Sequence, residues 1–479
     1  MADDSGLAAV VLPPPSISVN SSTVSLASLA SSSVSSSLSS VPSSPASTAA
    51  LPSVSFSASP FILVTGALGF IGSHTTLELL KAGHPVLCVD NLTNSFRHVF
   101  DSILCAAHDH FALVGGCCPA AELYCIDYSD EPAMRALLDV HAPAIGGVIH
   151  FAACKQVEES LLNPLKYYRN NIAGLITLLT LLDEYEIRFF VFSSSATVYG
   201  DSNNNNNNSS SSSSSGNGKM VSEDKPIKET DPLNPPLNPY GRTKAMGEDI
   251  LADLAQSNPS WTVVALRYFN PIGCDPSALL GENPRTPTVS NLLPVALRVL
   301  DGRQSELHIF GNDWATPDGT PIRDFVHVSD IAVGHLAALA GARDGRIAPG
   351  SLRTFNLGSG RAHSVLDLLD ALESVTQKPI RRRVVGRRPG DVGASVACVD
   401  RARDQLGWKA ERSLREACED VWRGAPPTNN ANVPLLPCSY VICRQKGASP
   451  IVAETWPVAS FYSPIPFAAL PHTTDTAIA

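Results

Sequence analysis

The feature that most constrains the fold is a glycine-rich turn between a short apolar run and an amphipathic helix. Residues 60–91 are PFILVTGALGFIGSHTTLELLKAGHPVLCVDN, in which a second apolar run follows the helix and ends at Asp90. This order predicts a βαβ unit. Gly66, Gly69 and Gly72 form a GxxGxxG loop, in which backbone N–H groups can approach a pyrophosphate at the positive end of a helix. A glycine pattern alone would also fit a structural tight turn.

Asp90 favours the dinucleotide interpretation, because an acidic side chain at the end of the second strand can accept hydrogen bonds from both ribose hydroxyls of an adenosine. The next residue is Asn91 rather than an arginine, so no obvious partner for a 2′-phosphate stands there. The sequence therefore predicts NAD rather than NADP as the cofactor.

The rest of the chain predicts the fold class. Four further apolar runs, ELYCID, GGVIHFAA, RFFVFSSS and WTVVALRYF, are separated by helical segments such as NIAGLITLLTLLDEYE. This alternation predicts an α/β protein with a doubly wound parallel (Rossmann) sheet. After Asn270 the alternation fades, and a smaller C-terminal substrate-binding domain is expected, in which RDFVHVSDIAVGHLAAL fits a strand and helix that return to the first domain.

Five segments follow from these patterns. We predict a disordered Ser-rich leader at 1–59, an NAD-binding domain at 60–268 with a low-complexity insertion at 201–218 as an exposed loop, a nucleotide-sugar-binding domain at 269–424, and a disordered tail at 425–479. The leader has no Lys or Arg, which argues against secretory and mitochondrial signals and leaves a plastid transit peptide open. HDHFALVGGCCPAAEL is expected to be a lengthened loop, and the helix before the tail is expected to be incomplete.

Charge and cysteine content argue against several classes of binding partner and site. The net charge of -10 and pI near 5.6 argue against nucleic acid or an anionic membrane surface as a partner. No apolar run has the length needed to cross a bilayer. The 11 cysteines show neither a disulfide framework nor paired metal-ligand spacing, so we expect no metal and a reducing, cytoplasmic location.

A candidate catalytic set lies in NPYGRTKAMGEDIL and SSSATVYG. Tyr240 and Lys244 are four residues apart and lie on one face of a helix. A tyrosine of ordinary pKa is a poor base at neutral pH, and we expect the lysine ammonium to lower that pKa. A serine at the end of RFFVFSSS could hydrogen-bond the substrate hydroxyl. Beside a nicotinamide, this set would form a hydride-transfer site.

With these motifs, and with LRYFNPIG, GNDWATPDGTPIRDFVHV and FNLGSG, the sequence resembles the extended short-chain dehydrogenase/reductase superfamily and, within it, the UDP-galactose 4-epimerases. The resemblance spans about residues 60–424. It implies a catalytic role for Ser195, with Tyr240 as the base and Lys244 supporting it and the nicotinamide ribose. We also expect a homodimer.

The resemblance also implies a set of cofactor and substrate contacts. The cofactor residues that it implies are Gly66, Gly69, Phe70, Ile71, Gly72, Asp90, Asn91, Asn94, Asp127, Tyr128, Phe151, Ala152, Lys155 and Asn170, together with Tyr240 and Lys244. The nucleotide-sugar residues that it implies are Ser195, Asn270, Asn291, Leu292, His308, Ile309, Phe310, Arg323, Arg388, Asp391 and Ser395. The run RRRVVGRR otherwise fits a solvated basic strand, but a guanidinium suits a diphosphate.

The activity implied by the resemblance is the NAD-dependent interconversion of UDP-galactose and UDP-glucose through a 4-keto sugar. Three alternatives stay open or are weakened at this stage. A 4,6-dehydratase typically needs an acidic pair where this chain has Ala196 and Thr197, whereas a uronate or pentose 4-epimerase is a closer relative and stays open. A catalytically silent nucleotide-sugar sensor is disfavoured by the complete Ser195, Tyr240 and Lys244 set.

Sugar specificity is expected to depend on the residue four positions after Asp391. In the 4-epimerases that this chain resembles, a tyrosine there is associated with excluding an N-acetyl group at C2. This chain has Ser395, so we expect it to interconvert the N-acetylated UDP-sugars as well.

Overall fold

The computed structural model describes residues 59–201, 225–282, 291–388 and 390–424. The strands in these ranges are β1 Phe61–Thr65, β2 Val86–Val89, β3 Ala121–Tyr124, β4 Ile145–His150, β5 Phe189–Ser195, β6 Thr262–Tyr268, β7 Asn270–Ile272, β8 Leu307–Phe310, β9 Ile322–Arg323, β10 Phe325–His327, β11 Leu352–Leu357, β12 His363–Ser364, β13 Arg382–Val385 and β14 Ala394–Ser395. The helices are α1 Phe70–Lys81, α2 His98–Val114, α3 Glu131–His141, α4 Val157–Leu162, α5 Pro164–Tyr168, α6 Gly174–Glu184, α7 Pro239–Ser257, α8 Leu292–Leu300, α9 Val328–Arg343, α10 Val365–Thr376 and α11 Leu414–Gly424. The predicted leader, insertion and tail lie outside the described residues, except residues 59 and 201.

A seven-stranded sheet forms the centre of the molecule, in the order β11-β6-β5-β4-β1-β2-β3. All six strand pairs are parallel. The strand order reverses between β1 and β4, so their carboxyl ends border a crevice where doubly wound sheets bind ligands. The predicted Rossmann fold class is confirmed.

Apolar side chains cover both faces of this sheet. In β1, Ile62 and Val64 pack into a core that includes residues of α1, α2 and α9, whereas Leu63 between them packs with α3, α6 and α7 on the other face. Continuous apolar runs such as the one in β1 are expected of a parallel sheet that helices cover on both sides. The six apolar runs predicted as strands form β1 to β6 of this sheet.

The segment predicted as a lengthened loop is helical over residues 108–114, and the prediction is wrong for that part. Helix α2 continues to Val114, and only residues 115–120 separate it from β3. The helix is held by Phe100, Ile103 and Ala107, which are spaced for one helical face and are buried against the sheet. Gly115, with a φ of +83°, ends it.

A smaller apolar cluster organises much of the chain after β6. It joins α8, β8, β10, α10 and α11, with Leu293, Ile309, Phe325, Leu369 and Cys418 among its buried members. The last described helix, α11, forms three turns and buries Ala417 and Cys418 in this cluster. Whether this helix is incomplete, as predicted, depends on residues after 424, which lie outside the described ranges.

Part of this later segment belongs to the main sheet. Helix α9 packs against α1, and β11 pairs with β6 as the edge strand of the seven. Helix α9 therefore returns to the first domain, as the pattern in RDFVHVSDIAVGHLAAL suggested, whereas the strand of that segment, β10, pairs with β7 in a separate two-stranded sheet. Within the described ranges, no helix is both long and apolar enough to span a bilayer.

Candidate active site

The glycine loop joins β1 to α1 at the point where the strand order reverses. Gly66 has a φ of +68°, and a Cβ atom there would lie 2.6 Å from the backbone nitrogen of Ala152 at the end of β4. A Cβ atom on Gly72 would lie 2.1 Å from the carbonyl oxygen of Gly66. The loop therefore needs glycine at both positions, and it leaves the first-turn N–H groups of α1 available to an anion.

Asp90 is held at the end of β2. Its Oδ2 accepts a hydrogen bond from the backbone nitrogen of Leu68 at 2.9 Å, and its Oδ1 accepts from Ser95 Oγ at 2.6 Å and the Leu92 nitrogen at 3.0 Å. The loop, the N-terminus of α1 and this carboxylate surround one end of a cavity of about 1280 Å³. The residues present fit a dinucleotide with free ribose hydroxyls.

Tyr240 and Lys244 lie on the first turns of α7, and local sequence sets their position. Asn238 caps the helix by accepting a hydrogen bond from the Gly241 nitrogen at 2.8 Å, and Pro239 occupies the first helical position. The Lys244 Nζ atom lies 5.9 Å from the centre of the Tyr240 ring. The predicted helical pairing is therefore present.

Ser195 ends β5 beside this pair. Its hydroxyl hydrogen-bonds Tyr240 and accepts a hydrogen bond from the Thr197 nitrogen at 3.2 Å. Lys244 Nζ donates a hydrogen bond to the carbonyl oxygen of Ser193 at 2.5 Å, which ties the helix to the same strand. The three predicted catalytic side chains thus converge on one part of the cavity.

The expected lowering of the Tyr240 pKa is not what this arrangement produces. Loss of hydration raises the pKa of Tyr240 to about 12, and the hydrogen bond from Ser195 opposes that rise. Burial lowers the pKa of Lys244 to about 7, against the opposing charge of Glu248. The prediction considered only the attraction between ammonium and phenolate and left out the desolvation of both groups.

The lowered pKa of Lys244 predicts a stability effect in the cofactor-free protein. The pKa of Lys244 falls from 10.5 in its ordinary state to about 7 in the fold. Its ionisation therefore opposes folding below about pH 10.5, increasingly so until about pH 7, where the penalty is complete. We expect Lys244→Met to raise stability by about 1–3 kcal/mol at pH 6 and by less at pH 9, measured by thermal unfolding.

Lys409 supplies the control for this experiment, because its side chain is 70% exposed. Lys409→Met should change the melting temperature little at either pH. A Lys244→Met protein that is destabilised equally at pH 6 and pH 9 would contradict the burial penalty.

The far end of the cavity presents two arginines and a carboxylate. Arg323 on β9 donates to Asp391 at 2.5 Å, and Arg388 lies 3.6 Å from the same carboxylate. The Arg388 guanidinium also lies 4.9 Å from the centre of the Phe310 ring on β8. A guanidinium pair whose charge one carboxylate only partly offsets suits an anionic substrate such as a diphosphate.

Every residue that the sequence assigned to the site lines this one cavity. The catalytic and cofactor candidates there are Gly66, Gly69, Phe70, Ile71, Gly72, Asp90, Asn91, Asn94, Asp127, Tyr128, Phe151, Ala152, Lys155, Asn170, Ser195, Tyr240 and Lys244, and the substrate candidates there are Asn270, Asn291, Leu292, His308, Ile309, Phe310, Arg323, Arg388, Asp391 and Ser395. Lining a cavity does not assign a role, so the individual roles stay predictions.

Sequence reasoning missed three lining residues that had a usable signal. Tyr268 and Phe269 lie in the cavity wall and belong to the motif LRYFNPIG, of which only Asn270 was singled out. Ser95, which fixes the Asp90 carboxylate, follows Asn94 in the same loop. No motif pointed to Glu282, which lies 3.4 Å from Lys155 across the cavity.

Comparisons with known proteins agree with this geometry. Residues 62–358 match the model of the NAD dependent epimerase/dehydratase family. A UDP-glucose 4-epimerase of Dictyostelium discoideum is 41% identical over 76% of this chain and 94% of its own length. The similar solved structures include UDP-glucose-4-epimerase from Stenotrophomonas maltophila with bound NAD and formylated UDP-arabinopyranose (39% identity, TM-score 0.67, 76% of this chain and 98% of that one). Another is the UDP-Glc/GlcNAc 4-epimerase from Campylobacter jejuni (31% identity, TM-score 0.59, 76% and 99%).

Proposed function

The chain belongs to the NAD-dependent epimerase/dehydratase family, and on that premise we propose that it interconverts UDP-galactose and UDP-glucose with NAD as its cofactor. The observation that carries the proposal is a convergence within one cavity. Ser195, Tyr240 and Lys244 lie there together with the glycine loop and with the Arg323 and Arg388 pair.

Tyr240 is the proton acceptor in this proposal. Oxidation at C4 of the sugar requires removal of the 4-hydroxyl proton, and the Tyr240 phenolate takes it while Ser195 holds the hydroxyl by a hydrogen bond. The ammonium of Lys244 favours the phenolate form of Tyr240, which lost hydration otherwise disfavours. On reduction of the 4-keto sugar, Tyr240 returns the proton.

Inversion requires the 4-keto sugar to expose its two faces in turn. NAD, when bound, supplies reversible hydride acceptance and donation at C4. The cavity of about 1280 Å³ leaves space for the sugar to rotate, while Arg323 and Arg388 hold the diphosphate in place. Binding energy from the nucleotide end thus retains the substrate during the rotation.

The test is direct. Purified protein is incubated with UDP-galactose without added NAD, and UDP-glucose is measured by chromatography. Formation of UDP-glucose supports the proposal, and its absence in protein that carries NAD overturns it. Parallel incubations with a UDP-uronate and a UDP-pentose measure the related 4-epimerase activities, and release of water from the sugar would reveal a dehydratase.

We further propose that the enzyme accepts N-acetylated UDP-sugars. Ser395 lines the cavity, and its backbone pairs with Arg323 on β9, which keeps this position at the sugar end. We expect Ser395→Tyr to lower kcat/KM for UDP-N-acetylglucosamine by ~10–100-fold while changing that for UDP-glucose less than ~3-fold, because added bulk penalises only the larger sugar.

Ser351 provides a control for this substitution, because it is an exposed serine outside the cavity. Ser351→Tyr should leave both kcat/KM values unchanged. Equal losses of both activities in Ser395→Tyr, or a wild-type enzyme inactive on the N-acetylated sugars, would contradict the specificity proposal.

We also propose that the protein forms a homodimer and that it is cytoplasmic. Apolar side chains are exposed on four neighbouring helices: Leu162 on α4 is 79% exposed, Leu165 on α5 78%, Ile176 on α6 48% and Met246 on α7 40%. Such a face is suited to burial against a second copy. The cysteines in the described ranges form no disulfide bonds, which fits a reducing compartment. Light scattering of the purified protein measures the assembly.

A further inference from the structure

A buried ion pair lies behind the catalytic side chains. Glu248 follows Lys244 by one turn of α7, and Arg267 lies on β6. Arg267 Nη2 is 2.5 Å from Glu248 Oε2, and Arg267 Nε donates to Glu248 Oε1 at 3.0 Å. Each residue is only 4% exposed, so the pair cannot rely on water for its hydrogen bonds.

Glu248 contacts the strand that carries Ser195. The hydroxyl of Ser194 donates to Glu248 Oε1 at 2.5 Å, and Ser194 immediately precedes Ser195 at the end of β5. Arg267 is the partner of Ser194 in the pairing of β5 with β6. One carboxylate therefore links α7, β5 and β6 within one residue of the catalytic serine.

Arg267 contacts the turn that follows Ser195. Its Nη1 donates to the Tyr199 hydroxyl at 2.9 Å, and this hydroxyl donates to Asn356 Oδ1 on β11 at 2.6 Å. Tyr199 ends the turn of residues 196–199 that follows Ser195. The ion pair therefore contacts the turn at both ends, through Ser194 before it and Tyr199 at its end.

The charges around Lys244 are few. Within the described residues, the titratable groups that face Lys244 or its partner Tyr240 are His150 on β4, Glu248 on α7 and Tyr268 on β6, and Arg267 contacts Glu248 from β6. Burial lowers the pKa of His150 to about 3 and raises the pKa of Tyr268, so both are neutral near pH 7. Among these described groups, Glu248 is the anion, and its charge raises the pKa of Lys244 against burial.

We propose that Glu248 and Arg267 are positioning residues that fix the Ser195 turn against α7, and that the Glu248 carboxylate also supplies the negative charge that keeps Lys244 an ammonium during turnover. The proposal rests on the proposed 4-epimerase function. Its two parts can be tested separately. The hydrogen bond from Ser194 connects the ion pair to the turn, whereas the charge that acts on Lys244 is that of the Glu248 carboxylate.

The charge is tested by the pH profile of kcat. Glu248→Gln keeps the shape of the side chain but removes the anion and leaves Arg267 as a nearby cation, so both changes disfavour an ammonium at Lys244. The alkaline limb of the profile should therefore move to lower pH by about one unit or more. Glu248→Asp retains the charge and should keep the limb in place, although its shorter side chain lowers kcat.

The matched control is an ion pair with a buried carboxylate, away from the cavity. Asp330 is 3% exposed and lies 2.5 Å from Arg412, whose side chain is 33% exposed. Asp330→Asn should lower the melting temperature without moving the alkaline limb. An unmoved limb in folded Glu248→Gln, or an equal shift in Asp330→Asn, would overturn the proposed role of the charge.

A second variant, Ser194→Ala, keeps the proposal testable if Glu248→Gln does not fold. Ser194→Ala removes only the hydrogen bond to Glu248 and should lower kcat by ~5–10-fold with little change in KM and no shift of the limb. An unchanged kcat in Ser194→Ala would overturn the positioning role.

Lys244 can also be titrated directly by NMR of protein labelled at lysine Cε, with its signal identified by its loss in Lys244→Met. The lysine should titrate at lower pH in Glu248→Gln than in the wild type, and equal titration would overturn the charge role. A wild-type protein without 4-epimerase activity would refute the proposed function, whereas this titration tests the ion pair without any turnover.

Discussion

Tyr240→Phe is expected to lower kcat for UDP-galactose by ~10²–10⁴-fold while the protein keeps its bound NAD, because the substitution removes the proton acceptor and preserves the ring. The ring lies at the first turn of a capped helix, and its hydroxyl is not part of the glycine loop or of the Asp90 site. Turnover is measured by formation of UDP-glucose, and bound NAD is measured by chromatography after denaturation.

The comparison for this variant is Tyr185→Phe. The Tyr185 hydroxyl donates to Asp139 at the surface and lies outside the cavity lining, so its loss should leave kcat within about twofold of wild type. Turnover close to wild type in Tyr240→Phe would refute Tyr240 as the base, and loss of NAD together with activity would assign it to cofactor binding instead.

Gly72→Ala is expected to have the second large effect, on the cofactor and on the fold together. The added Cβ atom would lie 2.1 Å from the Gly66 carbonyl oxygen and 3.0 Å from its carbonyl carbon, both in backbone that cannot rotate away. The loop and α1 must therefore move apart. We expect at least ~10-fold less bound NAD per protein and a loss of stability of about 2 kcal/mol or more, measured by nucleotide content and thermal unfolding.

Gly386 is the control for this substitution, since no atom lies within 4 Å of the Cβ position there. Gly386→Ala should keep wild-type NAD content and melting temperature. Normal NAD content in Gly72→Ala would show that the loop tolerates a side chain and that close packing at Gly72 is not required for the cofactor site.

Local pattern was sufficient for much of the fold and for part of the site. The βαβ unit at 60–91 could be predicted because a glycine turn, a helical period and an acidic strand end all lie within about thirty residues. The proximity of Tyr240 and Lys244 follows from helix geometry alone. Long-range members of the site, such as Arg323 and Asp391, came from the family resemblance, because no local rule brings residues 68 positions apart together.

The misjudged segment is one whose structure depends on distant partners. Residues 108–114 were expected in a loop, but Phe100 and Ile103 earlier in α2 pack on the sheet, and the helix that they stabilise continues to Val114. Helix α11 also depends on distant partners, because Ala417 and Cys418 are buried against the cluster around α8 and α10.

By itself, the sequence predicted the parallel sheet and the glycine loop and placed Tyr240 and Lys244 on one helix face, since each of these depends on residue types at short spacing. Only the tertiary structure decided that β11 closes the sheet beside β6, and that Arg267 reaches Glu248 across two elements. It also decided the electrostatics, because the raised pKa of Tyr240 and the lowered pKa of Lys244 come from lost hydration. The physical reason is that desolvation and partner charges depend on every element packed around a group, and no single stretch of sequence contains them.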